Sequence, residues 1–360
     1  MKKKISYEFI LKVFIIPALA AVLLVVMLLP ACRREPSVNG GKSSVEAEAA
    51  EEGVKETVEP GSDDNGQEPA GAGDTEPTNV GAIQESILAG FDALMEIEPA
   101  PDKLLSYIDA NFELVLPETM AALLEKLEYV QKAYIDKIIQ YLFEGKAQQI
   151  LMKSFATEEE FTKENAGKIQ DETLRDETLK VFNGGFKFVN LEGAFYPIID
   201  FEFLKKYSSR LTQEYNEYLQ LRAEESNKIY SRDAALMISW DEIAARMINT
   251  ENYLVRYLQD SPRRAEAGEL FLGYFSAYIY GQNNTPTRDY STNRVFDEVI
   301  QSYRNTIANN PGSKAASIIS KLLLRLENNK FILDEELLGS LGNYINELIK
   351  TYGLDASNLQ

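Results

Sequence analysis

Ser261-Pro262-Arg263-Arg264-Ala265-Glu266-Ala267-Gly268-Glu269-Leu270-Phe271-Leu272-Gly273-Tyr274-Phe275-Ser276-Ala277-Tyr278-Ile279-Tyr280-Gly281 is the stretch that decides the fold. Ser261 has the chemistry of a helix N-cap, Pro262 stands where proline suits a first helical turn, and Gly281 is a stop. Between them Leu270, Phe271, Leu272, Tyr274, Phe275, Tyr278 and Ile279 cover nearly the whole circumference. A helix apolar on every side needs neighbours on every side, so this one should lie at the centre of a domain.

The flanking sequence supplies those neighbours. Ile83, Ile87, Phe91, Leu94 and Met95 share one helical face, closed off by Pro99 and Pro101, and a short helix with Leu104, Leu105 and Ile108 on one side follows. Pro117 then opens a long helix whose seam, Met120, Leu123, Leu127, Val130, Tyr134, Ile138 and Tyr141, advances by alternating threes and fours. Gly145 should bend or end it, with helix resuming over residues 147–155. The charged, weakly periodic residues 157–180 read as exposed short helices. Thr212 caps a helix running to about Ile229, and Ser239 with Glu242 forms a capping box before the stripe Ile243, Ala244, Met247, Leu254, Val255 and Leu258. Beyond a polar loop at 282–290 come three more helices, with seams Val295, Val299, Tyr303, Ile307, then Ile319, Leu322, Leu326, then Leu338, Leu341, Ile345, Leu348, and Gly353 ends the last. The expected fold over residues 82–360 is all-α, an irregular helical bundle or a short α-solenoid.

One stretch breaks the helical period. Asn183-Gly184-Gly185 is a turn, Phe186 and Phe188 alternate around Lys187, and Gly193 and Pro197 punctuate the rest, which predicts an extended or hairpin insert over 184–201. On a strand the spacing of Glu192, Tyr196 and Asp200 puts them on one face, near Glu202, as candidate residues of a binding cleft; the plainer alternative is a solvated strand face. Glu251 is a further candidate, because it falls on the apolar stripe between Met247 and Leu254. A carboxylate there needs a raised pKa or a partner, and an Arg of a neighbouring helix is the expected one. Arg263-Arg264 reads as a solvated helix face.

Composition excludes much chemistry. The 360 residues contain no histidine and one cysteine, and carry a formal charge of -19. Without histidine there is no Ser-His-Asp or Cys-His catalysis and no ordinary zinc site. No phosphate loop, dinucleotide fingerprint or nucleophile elbow is present, so no cofactor or metal is implied. The negative field argues against nucleic acid as a ligand. A single thiol provides no disulfide framework, so stability must come from the core.

The amino end carries an address. Lys2, Lys3 and Lys4 precede an almost unbroken apolar run over residues 13–31, which ends in Leu28-Leu29-Pro30-Ala31-Cys32 before Arg33 and Arg34. This is the layout of a secretory signal peptide over 1–31. Leu29-Pro30-Ala31-Cys32 resembles the lipobox of bacterial lipoproteins, with Pro30 where a small residue is usual. The resemblance implies that Cys32 carries the lipid and that the remainder is exported and anchored to the outer face of the bacterial cytoplasmic membrane. An uncleaved run would span the membrane with the same topology, the lysines staying inside. Residues 33–81 contain no Leu, Ile, Phe, Tyr or Trp, so a lipid anchor with a disordered acidic linker is expected over 32–81.

Two places in the carboxyl half look alike: Asp260-Ser261-Pro262-Arg263-Arg264-Ala265-Glu266-Ala267 and Pro311-Gly312-Ser313-Lys314-Ala315-Ala316-Ser317. The pattern is similar to the helix-to-helix turns of tetratricopeptide-like repeats in bacterial envelope lipoproteins, and Tyr303, Ile307 and Pro311 match the end of such a repeat's second helix. The turns are about fifty residues apart where that repeat has about thirty-four. Such repeats bind peptides or proteins on a concave face. The functional expectation is a membrane-anchored lipoprotein whose helical domain binds an envelope protein, peptide or glycan without catalysis. The alternative is a carboxylate-dependent hydrolase of cell-wall or other polysaccharide, which would need two carboxylates about 5–9 Å apart across one pocket.

Overall fold

The computed structural model describes residues 77–257 and 261–354. The first helices among the described residues are α1 (Pro77–Ile97), α2 (Pro101–Asn111) and α3 (Pro117–Phe143), and α2 and α3 open on prolines, whose fixed φ and missing N–H suit a first turn. Helix α1 covers the predicted face from Ile83 to Met95. The signal, Cys32 and the acidic stretch up to residue 76 lie outside the described residues, as does Leu258.

The seam of α3 is buried or half-buried from Met120 to Ile138, while Tyr141 turns to solvent. Gly145, at φ 63°, breaks the helix before α4 (Ala147–Ser154). Residues 157–180, expected as exposed short helices, are a 3-10 turn (Ala166–Lys168) and the start of α5 (Glu172–Asn183). They are not peripheral. Phe161 is buried, stacked 4.3 Å from Phe188 and 4.4 Å from Phe155, with its other contacts edge-on to Phe182 and Phe195. With Ile169 and Leu174, also buried, Phe161 anchors a stretch whose charge masks it in the sequence.

The predicted hairpin is present. β1 (Phe186–Leu191) pairs antiparallel with β2 (Ala194–Ile199), Phe186 opposite Ile199 and Leu191 opposite Ala194. Its two-residue turn holds Glu192 and Gly193 at φ 50° and 79°, the left-handed pair that matches strand twist. Gln148 of α4 completes the pairing of β2 with its side chain, which accepts from Phe195 N–H at 3.0 Å and donates to Phe195 C=O at 2.7 Å.

The carboxyl half runs through α6 (Phe201–Leu204), a 3-10 segment (Lys205–Arg210), α7 (Gln213–Asn227), α8 (Trp240–Tyr257), α9 (Arg264–Tyr280), α10 (Asp297–Asn309), α11 (Lys314–Asn328) and α12 (Glu335–Tyr352). Two small hairpins were not foreseen, β3/β4 (Ser231–Arg232, Ala235–Leu236) and β5/β6 (Gly281–Gln282, Thr285–Pro286). They dock through Asn284 N–H on Ala234 C=O at 2.8 Å and Leu236 N–H on Thr285 Oγ1 at 3.1 Å. The result is all-α, an irregular bundle of twelve helices among the described residues.

Helix α9 is central, as its composition demands. It packs on α8 and α12, and its tyrosines reach further: Tyr274 donates to Glu225 of α7 at 2.7 Å, and Tyr278 shares bonds with Ser302 and Thr306 of α10. Phe271, Leu272, Phe275 and Tyr278 are fully buried. Phe275→Ala should destabilise the domain by about 3 to 5 kcal/mol, seen as one cooperative loss in a denaturant titration, whereas Leu324→Ala, at an exposed site, should change stability by less than about 0.5 kcal/mol.

Candidate functional site

Two capped helices face each other across a polar cleft. Thr212 Oγ1 accepts from Tyr215 N–H at 3.2 Å to start α7, and Ser239 Oγ accepts from Glu242 N–H at 3.1 Å to start α8. The helices run antiparallel and are tied at both ends. Arg256 holds both oxygens of Glu217, at 2.5 and 2.6 Å. At the other end Arg246 reaches Glu225 at 3.0 Å, Glu242 at 2.6 Å and Lys228 C=O at 2.7 Å. Glu242, half of the predicted capping box, thus spends its side chain on Arg246 of its own helix and on Lys228 just past α7, at 2.9 Å, and not on its own cap.

Between these ties the outer faces leave a cleft of about 550 Å³. α7 lines it with Glu217, Gln220, Glu224 and Asn227, and α8 with Asn249, Asn252 and Arg256. Leu221, Ala223 and Tyr253 form a buried floor, and Glu202 and Lys205 close one end. Gln220, Asn249 and Asn252 are exposed and make no hydrogen bond to the rest of the described chain. Bonds from Lys205 and Asn227 hold the Glu202 carboxyl below its ordinary value. Burial works to raise Glu217, but Gln213, Arg256 and Tyr257 outweigh it and hold it low as well. Both are ionised acceptors and not proton donors at neutral pH.

The carboxylates singled out from sequence do not converge. Glu192 sits in the β1/β2 turn, Tyr196 lies on β2 with its ring 5.2 Å from Phe143, and Asp200 follows the strand. Asp200 caps α6 by accepting from Phe203 N–H at 3.3 Å and pairs with Lys187 at 3.4 Å. The common strand face fails because strand geometry covers only residue 196 of the three. Only Glu202 reaches the cleft.

Glu251 is buried at 1% exposure, but its partner is not an Arg. It accepts from Ser313 Oγ, from Ala315 N–H at 2.8 Å and from Tyr352 Oη at 2.6 Å. The unpaired N–H groups and positive dipole end of α11 do the work of a cation. Ser261 does not cap α9 as expected, because the helix starts at Arg264 with Arg263 before it and Ser261 turns to Glu214 instead: its hydroxyl donates to that carboxylate at 2.5 Å, with Tyr253 Oη on the same group. The Arg263-Arg264 pair is not a solvated face. Arg263 is 6% exposed, paired with Glu214 and Glu125 and stacked 4.3 Å over Tyr215, and Arg264 donates to the carbonyls of Tyr352 and Gly353. Both arginines point inward because the helix they open is surrounded.

No group of acidic or cysteine side chains among the described residues is arranged to hold a metal ion. The amides and Arg256 were missed in the sequence, although Asn249, Asn252 and Arg256 recur at three and four residues on the polar face of α8, a signal that could have marked them. The chain matches no protein-family profile, no curated protein and no solved structure.

Two outcomes follow from the buried charges beside the cleft. Arg263→Ala should lower stability by about 3 kcal/mol, since it removes the cation from Glu214 and leaves that largely buried carboxylate with only the hydroxyls of Ser261 and Tyr253, and equilibrium unfolding measures it. Burial pushes Glu225 up to about 7 against the bonds from Tyr274, Tyr230 N–H and Arg246. A folded-state value above the unfolded one means the native protein binds that proton more tightly, so this group's contribution to stability is full below about pH 4.3 and falls as pH rises towards 7. Glu225→Gln should flatten that decline in urea midpoints measured from pH 4 to 8.

Proposed function

We propose that this chain is an exported lipoprotein, held on the outer face of the bacterial cytoplasmic membrane through Cys32, whose helical domain binds an envelope partner in the α7–α8 cleft without catalysing a reaction. The lipobox resemblance and the position of the only cysteine support the anchor. Two acyl chains on that cysteine would suffice for stable attachment. The acidic stretch after Cys32 separates anchor from domain. Among the described residues no helix is long and apolar enough to cross a membrane.

The observation that carries the binding reading is the row of unbonded amides, Gln220, Asn249 and Asn252, set between the Glu217–Arg256 and Glu202–Lys205 pairs. Amides recognise and do not react. The hydrolase alternative needs a carboxyl group kept protonated opposite an ionised one, and the cleft's paired carboxylates, Glu202 and Glu217, are both held ionised.

A photo-crosslinking phenylalanine at position 252 should capture a partner in cells that the same group at the exposed position 129 on α3 does not. Equal labelling from both positions would remove the cleft from the proposal. Cys32→Ser should abolish metabolic labelling with a fatty acid and leave an unprocessed precursor in the membrane fraction; unchanged labelling would remove the anchor.

A further inference from the structure

We infer that the α7–α8 cleft takes the main chain of an extended, lysine- or arginine-bearing peptide, an inference that presupposes the cleft is the binding site. The chain contains two worked precedents for a helix-borne amide reading main chain, one of them on a strand. Gln148 of α4 accepts from Phe195 N–H at 3.0 Å and donates to its carbonyl at 2.7 Å. Gln84 of α1 accepts from Leu116 N–H and donates to Leu114 C=O, both at 2.9 Å. In each case one side-chain amide supplies the donor and acceptor that a neighbouring strand would supply. Gln220, Asn249 and Asn252 offer the same pair of groups from two facing helices and have nothing in the described chain to bond.

Size and charge narrow the occupant. Glu217 to Asn227 spans about 15 Å along α7 at about 1.5 Å per residue, which matches four or five residues of extended chain at about 3.3 Å each. Glu202 and Glu217 spend their charge on Lys205 and Arg256. Glu224 does not: its nearest cation is Arg246 Nε at 3.8 Å, and Arg246 also serves Glu225 and Glu242. That leaves net negative charge in the cleft wall, in a protein of formal charge -19, a field that draws cationic segments in. A sugar face is the poorer fit. Tyr253, the lone aromatic residue in the lining, is 3% exposed, and its hydroxyl is engaged by Glu214 and Ser261.

The full chain in detergent, titrated with fluorescent octapeptides of alternating Ala-Lys, alternating Ala-Glu, a backbone N-methylated Ala-Lys copy, and chitohexaose, tests this. The Ala-Lys peptide should bind best, and N-methylation or the double variant Asn249→Ala with Asn252→Ala should each weaken it by about tenfold or more, the scale of a lost bidentate contact. Glu224→Lys should reverse the preference towards Ala-Glu. Binding that ignores N-methylation and Glu224→Lys but is lost in the Asn double variant would overturn the peptide inference while leaving the cleft as the site, and chitohexaose binding with the same dependence would do likewise. Binding untouched by any cleft variant reflects overall charge and would overturn both. No binding by any probe would overturn the inference, and the crosslink from position 252 then decides for the cleft alone.

Discussion

Burial of α9 on every face is the constraint from which the rest of the domain follows. Leu270, Phe271, Leu272, Phe275 and Ile279 leave no side that water could cover without cost, so α8 and α12 lie along it and α7 and α10 are drawn to its tyrosines. Each buried aliphatic or aromatic side chain contributes about 1.5–3 kcal/mol relative to exposure. In a chain with one cysteine, and none to pair with it, that burial has to substitute for a covalent frame.

Burial of this extent traps polar groups, and a single chemistry repeatedly satisfies them. Glu128 is met by Tyr218, Glu214 by Tyr253 and Ser261, Glu225 by Tyr274, and Glu251 by Tyr352 and Ser313. Arginine joins at Glu214 and Glu225, and the start of a helix takes its place at Glu251. An unpaired carboxylate in such a place would cost several kcal/mol, so each arrangement admits few alternatives. Hydroxyl-to-carboxylate bonds are directional, and these join helices distant in sequence: α3 to α7, α7 to α8 and α9, and α8 to α11 and α12. They fix the register of a bundle that apolar contact alone would leave free to slide.

The α7–α8 cleft exists because the same helices are tied at their ends and not in the middle. Arg256 with Glu217 and Arg246 with Glu225 join the two helices at either end of the cleft. Amides and the ionised carboxylates of Glu202 and Glu217 over a small apolar floor make a surface suited to hydrogen bonding with a polar chain, and the binding proposal rests on that surface.

The sequence by itself determined that the domain is all-α, that its centre is the helix after Pro262, where the hairpin near residue 190 lies, and which of Thr212, Ser239, Ser313 and Gly353 mark helix ends. These depend on period and on local backbone chemistry, which neighbouring residues carry. Tertiary structure alone decided which helices touch, and with that the fate of every charge. Arg263 and Arg264 look solvated in a string of letters and are inward because α9 is enclosed. Glu251 finds a helix end and not an arginine because α11 starts beside it. Glu192, Tyr196 and Asp200 separate because a two-residue turn at 192–193 comes before the strand that carries Tyr196, and a helix cap at Asp200 ends it. The cleft was invisible for the same reason: Gln220 and Asn249 are ordinary polar residues until two helices bring them face to face, and pairing between distant segments leaves no local periodicity to read.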